Sequence, residues 1–181
     1  MNDELKPDKI QILVNLVFFQ LVWFATVYGP GIGIHWLGLP AIVVFAVYHF
    51  FSAATARADF MLATASVLLG FIVETGYLQY GILIYEFNLP STHFAPYWIL
   101  VLWANFALTL NTGLRWLQGH YLAAAALGFV GAPLAYFSGV KLGAATPGIT
   151  PAWAYLTIAV SWAAVTPALL FLAPWVRRRT V

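Results

Sequence analysis

Six apolar runs, each near the roughly 20 residues a helix needs to cross a bilayer, alternate with short breaks along the chain. They predict helices near 9–28, 34–53, 59–80, 95–116, 121–139 and 152–175. Gly29-Pro30-Gly31, Asn88-Leu89-Pro90, Gln118-Gly119 and the stretch from Thr146 to Pro151 punctuate them, as turn-forming glycine and proline do. The connections are short, which predicts antiparallel sequential neighbours. The pattern lacks the alternating segments of about ten residues that make a membrane barrel. The fold class it predicts is all-α: a polytopic membrane helical bundle of six transmembrane helices, in a single integral-membrane domain over residues 1–181.

The polar positions inside these runs are the exceptions that need a reason. The fourth run carries Asn105, Thr109, Asn111 and Thr112, with Arg115 at its end. Read as one helix, Asn105, Thr109 and Thr112 share a face at i, i+4 and i+7, while Asn111 and Arg115 share another. Two polar faces predict a central helix with neighbours on both sides. Asparagine and threonine in a membrane helix also serve simply as interhelical glue, at about 0.6 kcal/mol each. Glu74 is the sharpest position. A carboxylate in hydrocarbon is costly, so it turns toward the bundle interior and marks a candidate functional site. Gly70 and Tyr77 share its face, leaving that face open to a neighbouring helix or a ligand. Gly128, Gly131, Gly139 and Gly143 give the fifth helix and its exit a run of small residues, which lets backbones approach closely. Pro133 and Pro167 lie inside helices and predict kinks.

Composition sharpens the class. The chain of 181 residues is 62% hydrophobic and only 8% charged, against about 25% charged in a typical soluble domain. Its mean hydropathy is +0.85. It has no cysteine, which removes disulfides, thiol nucleophiles and cysteine-ligated metals. Charge placement sets an orientation. Of the 8 basic residues, Lys6, Lys9, Arg57, Arg115 and Arg177–Arg179 fall at one end of the bundle and Lys141 alone at the other. The positive-inside rule then puts both termini in the cytoplasm and the chain in a bacterial inner membrane. Arg115, Arg177, Arg178 and Arg179 are placed to meet lipid headgroups; the tail is not a nucleic-acid site. Trp36, Tyr85, Tyr97, Trp98, Trp116, Trp153 and Trp175 lie near predicted helix ends, as an interfacial aromatic belt requires. Lys141 is placed either to snorkel outward or to reach back toward Glu74.

Metal and haem chemistry find little support. His35 and His49 return to one face of the second helix, but a bis-histidine haem needs matching ligands on a second helix. His93 and His120 sit at opposite ends of the fourth run and do not supply them. Clustered histidines and carboxylates of a di-metal oxygenase are absent, and so are a phosphate-cradling loop and a Ser/His/Asp pattern. No cofactor is expected. Arg57 and Asp59 read as an interfacial charged turn.

The segments PYWILVLWANFALTLNTGLRWL at 96–117 and GFVGAPLAYFSGVKLGA at 128–144 resemble an uncharacterised bacterial membrane family, domain of unknown function 2878. Glu74 stands where that family tends to have aspartate, and Ala135 where it has serine. The resemblance implies a membrane protein and carries no activity with it; the family's association with lipid-modifying genes points toward lipid chemistry.

Three function classes follow. In the first, the chain is a lipid-linked membrane enzyme or the membrane subunit of one. A fatty-acyl or isoprenoid chain enters laterally, Glu74 acts as acid/base, and Asn105, Thr109, Asn111 and Tyr77 orient the substrate. In the second, it is a structural or assembly subunit, whose polar residues fix helix packing. In the third, it is a small transporter with Glu74 as a proton or cation site. The expected partners are membrane lipids, with a membrane-protein partner or a second copy of the chain. A single active site built from this set requires Glu74, Asn105 and Asn111 to line one cavity.

Overall fold

The computed structural model describes residues 7–180, so Lys6 lies outside the described residues. Among the described residues six helices form the bundle: α1 (Lys9–Gly31), α2 (Gly38–Ser52), α3 (Ala56–Gln79), α4 (Tyr97–Ala107), α5 (Tyr121–Lys141) and α6 (Pro151–Thr180). Four of them, α1, α3, α5 and α6, are long and apolar enough to cross a membrane. The remaining two, α2 with 15 residues and α4 with 11, are shorter than a full span. Sequential helices pack as pairs, α1 with α2, α3 with α4, and α5 with α6. The bundle is apolar outside and polar at selected points inside. Phe51 and Leu122 are each 90% exposed, whereas Glu74 and Asp59 are 0% exposed. That distribution is compatible with a hydrocarbon surround, because in lipid it is the polar group that must be enclosed.

α1 starts on a reciprocal cap. Asp8 Oδ1 accepts from the Gln11 amide at 2.7 Å, and Gln11 Oε1 accepts from the Asp8 amide at 3.1 Å. At its other end Gly31 lies against α5: a Cβ there would stand 1.8 Å from the Leu142 carbonyl oxygen. Gly143, at φ +78°, turns the chain out of α5 at this contact. α5 and α6 run through Pro133, Pro167 and Pro174 without interruption. Their close approach is set by Gly128, whose Cβ would meet the Trp162 carbonyl oxygen at 2.1 Å.

Two departures from the sequence reading shape the interior. First, the fourth run is not one helix over 95–116. α4 ends at Ala107, and the chain continues through tight turns to a 3-10 turn at Arg115–Leu117. Side chains explain the break by taking the carbonyls that a longer helix would need. Asn15 Nδ2 donates to Leu108 O at 3.0 Å and Gln118 Nε2 donates to Leu110 O at 2.9 Å. Thr109 Oγ1 donates to Phe106 O at 2.6 Å. Such local competition is why Asn, Thr and Gly weaken a helix. The turn residues Thr109, Leu110, Asn111 and Thr112 are all buried, so this irregular backbone is enclosed by protein. The proposed i, i+4 faces beyond Ala107 therefore do not exist.

Second, the loops after α3 and α5 pair as a small antiparallel ribbon, β1 (Leu83–Tyr85) with β2 (Ala145–Pro147), in the register Leu83↔Pro147, Ile84↔Thr146 and Tyr85↔Ala145. Gly81 at φ +65° makes the tight turn that leads into it. The ribbon moves Tyr85 out of the interfacial belt expected of it and buries it at 2% exposure. Trp98 is also buried, and its indole N–H donates to Phe87 O at 3.0 Å. Trp36, Trp116, Trp153 and Trp175 are exposed at helix ends, where belt residues belong.

Candidate functional site

Glu74 sits three-quarters of the way along α3 and receives three donors from three different elements. Tyr85 of β1 donates to Oε2 and Tyr136 of α5 donates to Oε1. Trp103 of α4 donates its indole N–H to Oε1 at 2.8 Å. Gly70 makes this possible: a Cβ there would lie 2.4 Å from the Trp103 ring, so the indole reaches α3 only because position 70 has no side chain. Tyr77 stands beside the carboxylate. Its ring meets Tyr136 edge-on, with centroids 6.2 Å apart, and its hydroxyl pairs with Ser161 of α6. Burial, and then the nearby Glu74 charge, push the Tyr85 phenol well above its ordinary range, so it keeps its proton as a donor.

The same three donors form part of a wall. Tyr85, Trp103 and Tyr136 line a half-open, largely apolar cavity of about 530 Å³ bordered by α1, α4, α5 and α6. Phe19 and Trp23 of α1 and Gly131 and Ala135 of α5 line it, and the two helices touch where a Cβ on Gly139 would lie 3.5 Å from Val27 Cγ1. A Cβ on Gly131 would meet only Leu127 Cδ1, at 3.9 Å, so this stretch of α5 fronts open space. Two buried groups on the wall, Trp162 Nε1 and Thr166 Oγ1, have no hydrogen-bond partner. The cavity falls in the range of small-molecule sites, which are mostly apolar with a few convergent polar groups.

A second polar network lies at the other end of α3. Asp59 is fully buried and accepts three bonds: His49 Nε2 at 2.9 Å and Thr55 Oγ1 at 2.8 Å on Oδ2, and Asn111 Nδ2 at 2.7 Å on Oδ1. Asn111 Oδ1 in turn accepts from Gln118 Nε2 at 3.0 Å and Arg177 Nη1 at 2.8 Å. Arg177 also donates to Gln118 Oε1 at 3.2 Å. Asp59 is thus no surface turn residue; Arg57, two positions earlier, is the exposed member of that pair.

The residues singled out by the sequence are consequently divided. Glu74 and Tyr77 share one cluster. Asn111 belongs to the Asp59 network, some four turns of α3 away by helical rise. Asn105 donates to Phe19 O at 2.9 Å, tying α4 to α1, and its Oδ1 has no partner. Thr109 serves its own turn. Glu74, Asn105 and Asn111 do not line one cavity. Lys141 is exposed and lies over the Phe137 ring, 5.4 Å from its centroid, rather than on Glu74. Among the basic residues given to headgroups, Arg177 is held by Asn111 and Gln118, whereas Arg178 and Arg179 are exposed. Among the described residues no three His, Asp or Glu side chains gather as a metal site.

A family model covers residues 12–168, under the description "protein of unknown function (DUF2878)". The chain belongs to that family. The matched span contains both polar networks except for Arg177, and every wall of the apolar cavity. No curated protein and no solved structure matches the chain. The family brings four membrane-length apolar helices into context without naming a reaction.

Proposed function

We propose that this protein is an inner-membrane enzyme, or the membrane subunit of one, acting on a lipid-borne fatty-acyl or isoprenoid chain. One observation carries the reading: the three donors that hold Glu74 also line a largely apolar cavity. A long chain buries its apolar length against Phe19, Trp23 and the small-residue face of α5. Its polar end then meets the phenols of Tyr85 and Tyr136, and behind them the Glu74 carboxylate as acid/base. The buried turns after α4 complete a sixth crossing with α2, and the basic ends face the cytoplasm.

A transporter fits less well. Along α3, Ser66 donates to Trp103 O at 3.0 Å and Gly70 abuts the Trp103 ring, so the indole fills the route between the Glu74 and Asp59 networks.

The test is lipid retention by purified protein combined with the lipid profile of cells that express it. Wild type should carry one acyl or isoprenoid lipid per chain by native mass spectrometry, and expression should change the cellular profile of such lipids. Gly131→Phe should remove the bound lipid. Glu74→Gln, verified as folded, should keep it and abolish the change in profile. Wild-type protein free of lipid, with an unchanged profile, would sink the proposal.

A further inference from the structure

Gln20 is the middle residue of the 23-residue helix α1. Asn15, Val22 and Thr26, at 1%, 1% and 0% exposure, mark the face of that helix that meets the core. At 3.6 residues per turn, Leu13, Val17, Gln20 and Phe24 form a stripe on the opposite side. Leu13, Val17 and Phe24 are 63%, 49% and 51% exposed, and Gln20 is exposed with them. Their spacing of four, three and four residues is that of a coiled-coil seam, and it runs for about 16 Å by helical rise.

Three of these positions suit lipid and one does not. Hydrocarbon offers an amide neither donor nor acceptor. Among the described residues Gln20 makes no hydrogen bond. The nearby amides are committed elsewhere: Asn15 joins Leu108 O to the Gly113 N–H, and Asn105 Nδ2 donates to Phe19 O. About 16 Å of helix separates Gln20 from either end of α1, too far for its short side chain to snorkel to a surface.

The stripe therefore needs a partner that brings a polar group to the same depth, and a second copy does. All copies insert in the same sense, so equivalent residues share one depth. A two-fold axis along the membrane normal then sets each residue of the stripe against itself. A carboxamide carries donor and acceptor together, so two Gln20 side chains satisfy each other through reciprocal Nε2–H···Oε1 bonds. Leu13 and Val17 pack on one side of that pair and Phe24 on the other.

We propose that the protein pairs with a second copy of itself through the outer face of α1, with Gln20 at the centre of a parallel two-fold seam. Gln20 also lines the half-open cavity, so the seam passes beside its mouth. The pairing does not rest on the function proposed for that cavity.

The chain has no cysteine, so one introduced thiol reports the seam. In membrane vesicles from cells expressing the full chain, Val17→Cys should form a disulfide-linked dimer on oxidation with copper phenanthroline. Val44→Cys, at a position 58% exposed on α2, should not. Adding Gln20→Leu should remove most of the Val17→Cys dimer, and adding Gln20→Asn, which keeps donor and acceptor, should preserve it. Fluorescence transfer between labelled copies in phosphatidylcholine–phosphatidylglycerol vesicles gives the affinity. Gln20→Leu should raise the dimer Kd about tenfold, equivalent to about 1.4 kcal/mol, while its circular dichroism stays that of wild type. Wild type that is monomeric in these vesicles overturns the proposal. So do equal dimer yields from Val17→Cys and Val44→Cys, a Val17→Cys dimer indifferent to Gln20→Leu, or a Val17→Cys thiol trapped on a different protein and not on a second copy.

Discussion

Glu74 shows what one residue reveals and withholds. A carboxylate in an apolar run can be singled out from sequence because hydrocarbon penalises it wherever the helix lies. Its partners cannot, since Tyr85, Trp103 and Tyr136 are 11, 29 and 62 residues away and come from three separate elements. Asp59 is the converse case. A charge beside a turn reads the same whether it faces water or folds inward, and here it folds inward onto His49, Thr55 and Asn111. The donor set around Glu74 makes a prediction at this scale. Glu74→Gln keeps the volume but turns an NH₂ toward a donor whichever way the amide lies, since both oxygens now accept. It should lower stability by about 1–3 kcal/mol. Tyr136→Phe, which leaves one acceptor less served, should cost a similar amount. Unfolding in detergent measures both, and unchanged midpoints would mean that the carboxylate is solvated.

At the scale of elements, the helices were legible and the connections were not. Hydrophobic run length predicts α1, α3, α5 and α6 because a membrane-length helix is written continuously in sequence. The sequence reading extends α4 to residue 116 because Leu108, Leu110 and Leu114 keep an apolar residue in each turn beyond Ala107. What stops the helix is distant: Asn15 and Gln118 claim its next carbonyls. The β1–β2 ribbon was equally invisible, being three residues per strand from loops over 50 positions apart. Glycines within helices separate by what surrounds them. Gly128→Ala drives a Cβ into the Trp162 carbonyl and should destabilise by about 1–3 kcal/mol by parting α5 from α6. At Gly76 a Cβ meets nothing within 4 Å, so Gly76→Ala should be neutral or stabilise by up to about 1 kcal/mol. Melting of the two variants side by side gives the comparison, and equal losses would contradict the α5–α6 contact.

For the whole molecule, the basic residues and the two polar networks define opposite ends. Lys9, Arg57, Arg115 and Arg177–Arg179 gather around the Asp59 network, and Lys141 stands at the end that bears the ribbon. The chain has no cysteine of its own, so single introduced thiols report orientation cleanly. Thr92→Cys should react with an impermeant maleimide in intact spheroplasts, and Ala54→Cys only after permeabilisation. The opposite pattern would invert the protein.

The contact of Gly31 with Leu142 has a mechanical consequence. It rivets α1 to α5 at the end bearing the ribbon, while Phe19 and Trp23 face α5 across open volume farther along. Away from that joint α1 turns to α4 instead, with Asn105 Nδ2 on Phe19 O at 2.9 Å and Asn15 Nδ2 on Leu108 O at 3.0 Å. The gap between α1 and α5 is therefore built into the packing of the bundle and needs no guest to prop it open.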